Sequence, residues 1–248
     1  MDFALSEDQL ELKQAARGWL ADRFPLERNW DTEDDRWSEL AELGWLDIQE
    51  AGLGFVEEAL LLEELGYVCY PGFYLAHVAS IAGDGDRTTV DATRPLWPAE
   101  ETPRFRAAAA AEALGVAQRA LDLGVEHAKT RTQFGKPIGT YQAVSHPLAQ
   151  TYTDVELARS LAYWAAWAVA EGDEQATLAA AAAKAQATEA AVSACERSIQ
   201  VHGGIGFTWE HPLHRFYKRA LWLEGFGKRP HELRAVVADA LLGVEVTA

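Results

Sequence analysis

The chain has 248 residues, 49% of them hydrophobic, enough for one large domain or two small ones with a substantial core, and too apolar for a disordered tail. A net charge of −16 excludes phosphate-backbone binding as the main work, and no basic stripe with interleaved aromatics offsets it, so no nucleic-acid partner is expected. The two cysteines, Cys69 and Cys195, stand far apart in apolar surroundings and read as reduced core residues of a cytoplasmic protein.

In chain order, the opening "MDFALSEDQLELK" is acidic and has no basic segment followed by an apolar one, so it does not read as a signal peptide. Ser6 and Gln9 form a capping box, with Leu5 placed to staple against Leu10. Leu12, Ala16, Trp19 and Leu20 continue one helical face until Pro25 stops it. "RWSELAELGWL" predicts a second helix ending at Gly44, and "FVEEALLLEELG" a third ending at Gly66. Residues 1–80 are therefore expected to form an N-terminal helical domain. Residues 81–104 read as a linker, in which only "TTVDA" suits a short strand.

Residues 105–248 are expected to form a second helical domain. "AAAAAEALGVAQRALDLGVEHAKT" carries a helical stripe through Leu114, Ala117, Leu121 and Val125. "RTQFGKPIGT" is a loop punctuated by Gly135, Pro137 and Gly139. A long helix is predicted from Tyr141 to Glu171, closed by Gly172, and another from Asp173 to His202, closed by Gly203. Two more cover roughly 212–224 and 231–242. The run "ATLAAAAAKAQATEAAVSA" is mostly alanine and is interrupted by Lys184 and Glu189, which suits a tightly packed helix rather than a membrane span. Long antiparallel helices with short loops predict an all-α protein built on an up-and-down four-helix bundle.

"TRTQFGKPIGTYQAVSHPLA" together with "QVHGGIGFTWEHPLHRFYKRA" resembles the acyl-CoA dehydrogenase family, while "MDFALSEDQLELKQAARGWL", "ELAELGWL" and "LLLEELGYVCYPG" resemble its N-terminal helical domain. The wording is most similar to actinobacterial enzymes that degrade steroid side chains. The resemblance implies that FAD lies across a subunit boundary, with the C-terminal bundle of one subunit gripping the ADP end of the cofactor of another. It implies Arg131 at the pyrophosphate, Gln133 beside it and Phe134 on the adenosine, with Tyr141 and Gln142 lining the site and Gln200, Val201, His202, Gly203 and Gly204 closing it. The chemistry of these residue types agrees: a guanidinium offers a diphosphate a planar fork of permanent charge, and a Gly-Gly corner lets an anion approach backbone N–H groups. Taken singly, such a glycine pair is also a common helix end.

The sequence departs from the family in two places. The β-domain that holds the flavin ring has no counterpart near residues 80–105, where "TTVDATRPLW" resembles only its last strand and exit. The family's proton-abstracting glutamate would fall at Gly227, and its alternative position at Phe105. Glu224 fits the first position only after a three-residue deletion, and Glu112 reads as a solvated helix residue. No metal ligand set appears, since His211 and His214, placed at a helix start, lack further partners.

The resemblance therefore implies a subunit of a heteromeric FAD-dependent acyl-CoA dehydrogenase, an oxidoreductase desaturating a bulky, steroid-like acyl-CoA. A full-length homologue would supply the flavin pocket and the base, as an α2β2 heterotetramer, with a homodimer as the simpler assembly. Two other readings stand beside it. A flavin-free lyase, hydratase or cyclase would draw on His146, His202, His211, His214 and Glu210. A structural homo-oligomer would draw on the nine tryptophans for large aromatic interfaces. For either kind of assembly, homodimeric or with a larger homologue, Trp97, Trp164, Trp167 and Phe207 are the candidate apolar patches.

Overall fold

A computed structural model describes residues 5–26, 35–80 and 101–243. Among these residues the fold is helical: α1 (Glu7–Arg23), α2 (Trp37–Glu42), α3 (Phe55–Val68), α4 (Tyr74–Ser80), α5 (Pro103–Thr130), α6 (Gln142–Ala170), α7 (Ala176–His202), α8 (Leu213–Gly225) and α9 (Pro230–Leu242). The only strands described are β1 (Thr132–Gln133) and β2 (Lys136–Pro137), which form one antiparallel hairpin. The expected strand at "TTVDA", and Trp97, lie outside the described residues.

Local chemistry starts α1 as expected. Ser6 accepts from the Gln9 N–H and the Gln9 side chain accepts from the Ser6 N–H, which satisfies two of the donors a helix start leaves open. Leu10 is 45% exposed, and the buried side of the helix is carried by Ala16 and Leu20.

The third helix does not end at Gly66. It runs on to Val68, and Cys69 closes it in the left-handed region at φ +53°, its N–H donating back to Gly66 and Leu65. Gly66 is there for packing: a Cβ on it would strike the backbone carbonyl of Glu112 on α5. Gly115 answers from the other side, where a Cβ would strike the Glu63 carbonyl and come within 2.7 Å of Tyr67 N. Two backbones thus meet without side chains between them. Sequence reading missed α4. Tyr74 donates to the Trp45 carbonyl at 2.8 Å, and His77 Nε2 lies 2.8 Å from the Leu46 carbonyl, which docks α4 on the turn after α2.

In the bundle, α7 lies against α5, α6, α8 and α9. Buried alanines from Ala107 to Ala111 on α5, with Ala180, Ala183, Ala187, Ala191 and Ala194 on α7, allow the helices to approach closely. One hydrophobic cluster runs from Leu20 and Leu40 through Leu65 and Leu114 to Ala191 and Phe216, so the N-terminal helices and the bundle share a core. Trp164 and Trp167 are half-buried against that core and form no exposed patch, whereas Phe207 is 73% exposed.

Buried charges are paired. Glu63 accepts from Lys13 Nζ at 2.5 Å, Arg159 Nη1 at 2.6 Å and Tyr163 Oη at 2.8 Å, tying α1, α3 and α6 together. Glu112 is not a solvated helix carboxylate: it is buried and ion-paired with Arg219 of α8 at 2.5 Å. Burial of a charge is tolerated only with such a partner. Both cysteines are buried and free. Among the described residues, no helix is long and apolar enough to cross a membrane.

Candidate cofactor half-site at one end of the bundle

The residues singled out by the two motifs gather at one end of the bundle, where α5 and α7 finish and α6 begins. His127, on the last turn of α5, stacks on His202, the last residue of α7, with ring centroids 4.2 Å apart. That contact fastens the two helix ends together. Arg131 follows His127 by one turn and caps α5, while Gly203 follows His202 directly.

The connection from α5 to α6 is more ordered than a loop. Thr132 pairs with Pro137 and Gln133 with Lys136, leaving Phe134 and Gly135 as a two-residue turn with φ of +53° and +80°. Both values belong to the turn type that matches the twist of a tight hairpin. Glycine takes that conformation freely, whereas a phenylalanine there is strained by about 1–2 kcal/mol. Phe134 is nevertheless 92% exposed. Tyr141 steadies the tip: its hydroxyl donates to the Gln133 carbonyl at 3.2 Å, and its ring meets Phe134 edge-on at 6.4 Å. Lys136 Nζ sits 4.3 Å from the Tyr141 ring centre.

Gly203 closes α7 at φ +64°, and a Cβ on either Gly203 or Gly204 would meet nothing within 4 Å. Among the described residues, the corner therefore faces open space. Gly206, by contrast, packs tightly, since a Cβ there would lie 2.6 Å from the Ile199 carbonyl. Arg131, Gln133, Gln142, Gln200 and Gly204 are exposed, Val201 is half-buried and His202 is buried. Arg131 has no ion-pair partner among the described residues.

The electrostatics of this end suit an anion only because of its cations. The C-termini of α5 and α7 bring partial negative charge, offset by the uncapped N-terminus of α6, Arg131 and Lys136. An exposed guanidinium, an open glycine corner and an exposed aromatic side chain form a set of groups that fits the nucleotide end of FAD.

The base positions are filled otherwise. Gly227 has φ +67°, and a Cβ on it would fall 2.7 Å from Glu101 Oε1 and 3.3 Å from Lys184 Nζ. Lys184, fully buried, donates to the Glu101 carboxylate, to the Phe226 carbonyl at 2.6 Å and to the Lys228 carbonyl at 3.1 Å. This clamp occupies the space a side chain at 227 would need. Phe105 is buried edge-on to Phe226, with ring centroids 5.5 Å apart.

Glu224 lines a cleft of about 450 Å³ with Glu189, Arg229, His231 and Arg234. Burial, and then Glu189 and Glu196, hold its carboxyl above the usual carboxylate range. It lies ten residues along α8 from His214, about 15 Å at 1.5 Å per residue. Sequence reading placed His211 on the helix with His214, but α8 begins at Leu213 and His211 precedes it. It also missed His127, whose role is visible only once the ends of α5 and α7 are side by side. His146 and Glu210 are exposed.

Fold and site together define an acyl-CoA dehydrogenase-like helical protein without the middle β-domain. The model of the acyl-CoA dehydrogenase C-terminal domain matches residues 99–227, and that of the N-terminal domain residues 6–85. The chain belongs to the acyl-CoA dehydrogenase family. It is 44% identical to the acyl-CoA dehydrogenase IpdE2 of Mycobacterium tuberculosis over 111 residues, 45% of this chain and 33% of that protein. The match thus spans about a third of that relative's length. Among solved structures, the ChsE4-ChsE5 complex from Mycobacterium tuberculosis has a chain similar to this one at TM-score 0.81 and 21% identity, covering all of both chains. A variant of the Tcur3481-Tcur3483 steroid ACAD is similar at TM-score 0.77 and 23% identity, over 97% of this chain and 99% of that one. At these identities the likeness is one of fold.

Proposed function

We propose that this chain is one subunit of a heteromeric FAD-dependent acyl-CoA dehydrogenase, supplying the ADP-binding half of a FAD site shared across a subunit interface. The observation that carries the reading is the end of the bundle where the strained, exposed Phe134 hairpin, the exposed Arg131 and the open Gly203–Gly204 corner lie together. Backbone strain persists where the surroundings enforce it and is concentrated at functional positions. FAD, when bound, supplies the electron acceptor for oxidation of an acyl chain.

This chain's contribution is to bind and orient. Arg131 pairs with the pyrophosphate, Phe134 packs on the adenine, and the corner lets backbone groups approach the anion. Gln133, Tyr141 and Gln142 on one side, and Gln200, Val201 and His202 on the other, line or support that grip. The flavin pocket and the proton-abstracting carboxylate come from a full-length partner, because the space at Gly227 is taken by Lys184 and Glu101. Two structural neighbours are complexes of paired names, ChsE4-ChsE5 and Tcur3481-Tcur3483, which supports an unlike-subunit assembly, written here as α2β2. The second is called a steroid ACAD, which supports a bulky ring-bearing acyl-CoA as substrate.

The test is a visible absorption spectrum of the chain purified alone and then with a full-length acyl-CoA dehydrogenase homologue from its genomic neighbourhood. The expected outcome is a colourless isolated chain and a complex with flavin bands that Arg131→Ala removes while the two subunits still associate. A chain that never pairs, or a complex that keeps its flavin without Arg131, Phe134 and the glycine corner, overturns the reading.

A further inference from the structure

His202 stacks on His127 at 4.2 Å and also meets His211 at 4.3 Å, so three imidazoles from α5, α7 and the approach to α8 stand in one contact chain. Their hydrogen bonds assign the protons. His202 Nδ1 lies 2.7 Å from the Ser198 carbonyl, which can only accept, so that nitrogen carries hydrogen. His211 Nδ1 accepts from the Leu213 N–H at 3.3 Å, so it must be bare, and in that form it caps the first turn of α8. The charged groups acting on the three rings are Arg131 on the α5 side and His214 on the α8 side, with Arg215 and Lys218 next to His214. None is a carboxylate that would welcome a proton. Burial first, and then the neighbouring rings, lower the pKa of His127 and of His211, the latter to about 4, and burial lowers that of His202.

We propose that His127, His202 and His211 form a proton-operated latch: as neutral rings they hold the end of α7, the Gly203–Phe207 turn and the start of α8 together, and when charged they drive that corner open. The physics follows from the geometry. A proton on His202 places a full charge about 4 Å from two rings that are themselves basic, in a site partly removed from water, and a proton on His211 Nδ1 takes away the acceptor that caps α8. The corner that opens carries Gly203 and Gly204, so acid would withdraw the nucleotide grip. That consequence rests on the proposed cofactor role, whereas the latch itself does not.

The experiment uses the full chain without partner or cofactor. Histidine ring protons are followed by NMR from pH 8 to 4, with amide exchange at residues 199–215 compared at pH 7 and pH 5 after correction for intrinsic rates. The expected result is that the three rings titrate together below the ordinary histidine range, and that protection of 199–215 falls about tenfold or more while the interior of α5 keeps its own. In His202→Gln, His127 and His211 lose their shared neighbour and their midpoints rise. Should that variant not fold, His127→Gln removes an outer ring and raises the His211 midpoint by a smaller amount. Independent titration near the ordinary value, midpoints unmoved by both substitutions, or protection that does not change with pH each overturn the latch. A complex that is colourless at every pH counts against the cofactor role and leaves the latch standing.

Discussion

At Phe134 the backbone holds φ at +53° while 92% of the residue faces solvent. Its edge-on contact with Tyr141 offsets little of that strain, because the ring is otherwise in water. Asparagine suits this turn position far better, so Phe134→Asn is expected to stabilise the isolated chain by about 1 kcal/mol, read as a rise of a few degrees in Tm. The same substitution should weaken flavin retention in the complex. The glycines separate into two kinds by the same reasoning. Gly115→Ala drives a Cβ into the Glu63 carbonyl and should cost about 1–3 kcal/mol in urea denaturation. Gly204→Ala meets open space and should leave that curve unmoved, although it narrows the anion's approach and is expected to reduce bound flavin. Equal effects of the two substitutions on stability would contradict this assignment.

At the level of elements, the loop between α8 and α9 is held by Lys184 and Glu101, the latter accepting from the Lys228 N–H at 3.2 Å. Lys184 on α7 joins Glu101, which stands before α5, to the carbonyls of Phe226 and Lys228. Replacing Lys184 with methionine leaves the Phe226 and Lys228 carbonyls without that donor and Glu101 with only Arg106 and the Lys228 N–H, at a cost of about 1–3 kcal/mol for the buried groups left unpaired. Lys184→Met should therefore lower the denaturant midpoint sharply and speed amide exchange at 226–229, and an unchanged midpoint would show that the clamp is not structural. Most helices were legible as elements because caps, prolines and 3.6-residue spacing are local signals. The true end of α3 was not. Gly66 is read as a stop when only its own helix is considered, and it becomes an interior packing residue once α5 lies across it. The short α4 was missed because its docking depends on carbonyls of Trp45 and Leu46, about thirty residues away in sequence.

For the whole molecule, the lowered histidines set a direction of pH dependence. A histidine less basic in the folded than in the unfolded chain contributes stability that is complete above the unfolded value of 6.5 and is lost as pH falls toward the folded one, about 4 for His211. Below that window Glu63 adds a loss of the same sign. Burial pushes its carboxyl up, but Lys13 and Arg159 together hold it below the usual range, so its contribution disappears as it is protonated. Glu64 works in the opposite sense, since burial outweighs Arg17 and raises it. Urea denaturation from pH 8 to 3 is thus expected to show stability falling from about pH 6.5, and His202→Gln should flatten the upper part of that fall. A wild-type profile level down to pH 5 would remove the histidine contribution.

The sequence by itself determined the all-α class and nearly every long helix, because binary patterning and helix ends are written in consecutive residues, and its short motifs pointed to the residues of the proposed half-site. The resemblance also implied that the family's base position falls at Gly227. Only the tertiary structure decided that Phe134 is a strained, exposed turn tip, that Glu112 is buried against Arg219, that Lys184 and Glu101 fill the space at Gly227, and that three histidines share one contact chain. The Phe134 turn is set by the hairpin of residues 132–137; each of the others depends on groups far apart in sequence meeting at a few ångströms, and such side chains acquire partners and charge states only when the bundle has closed.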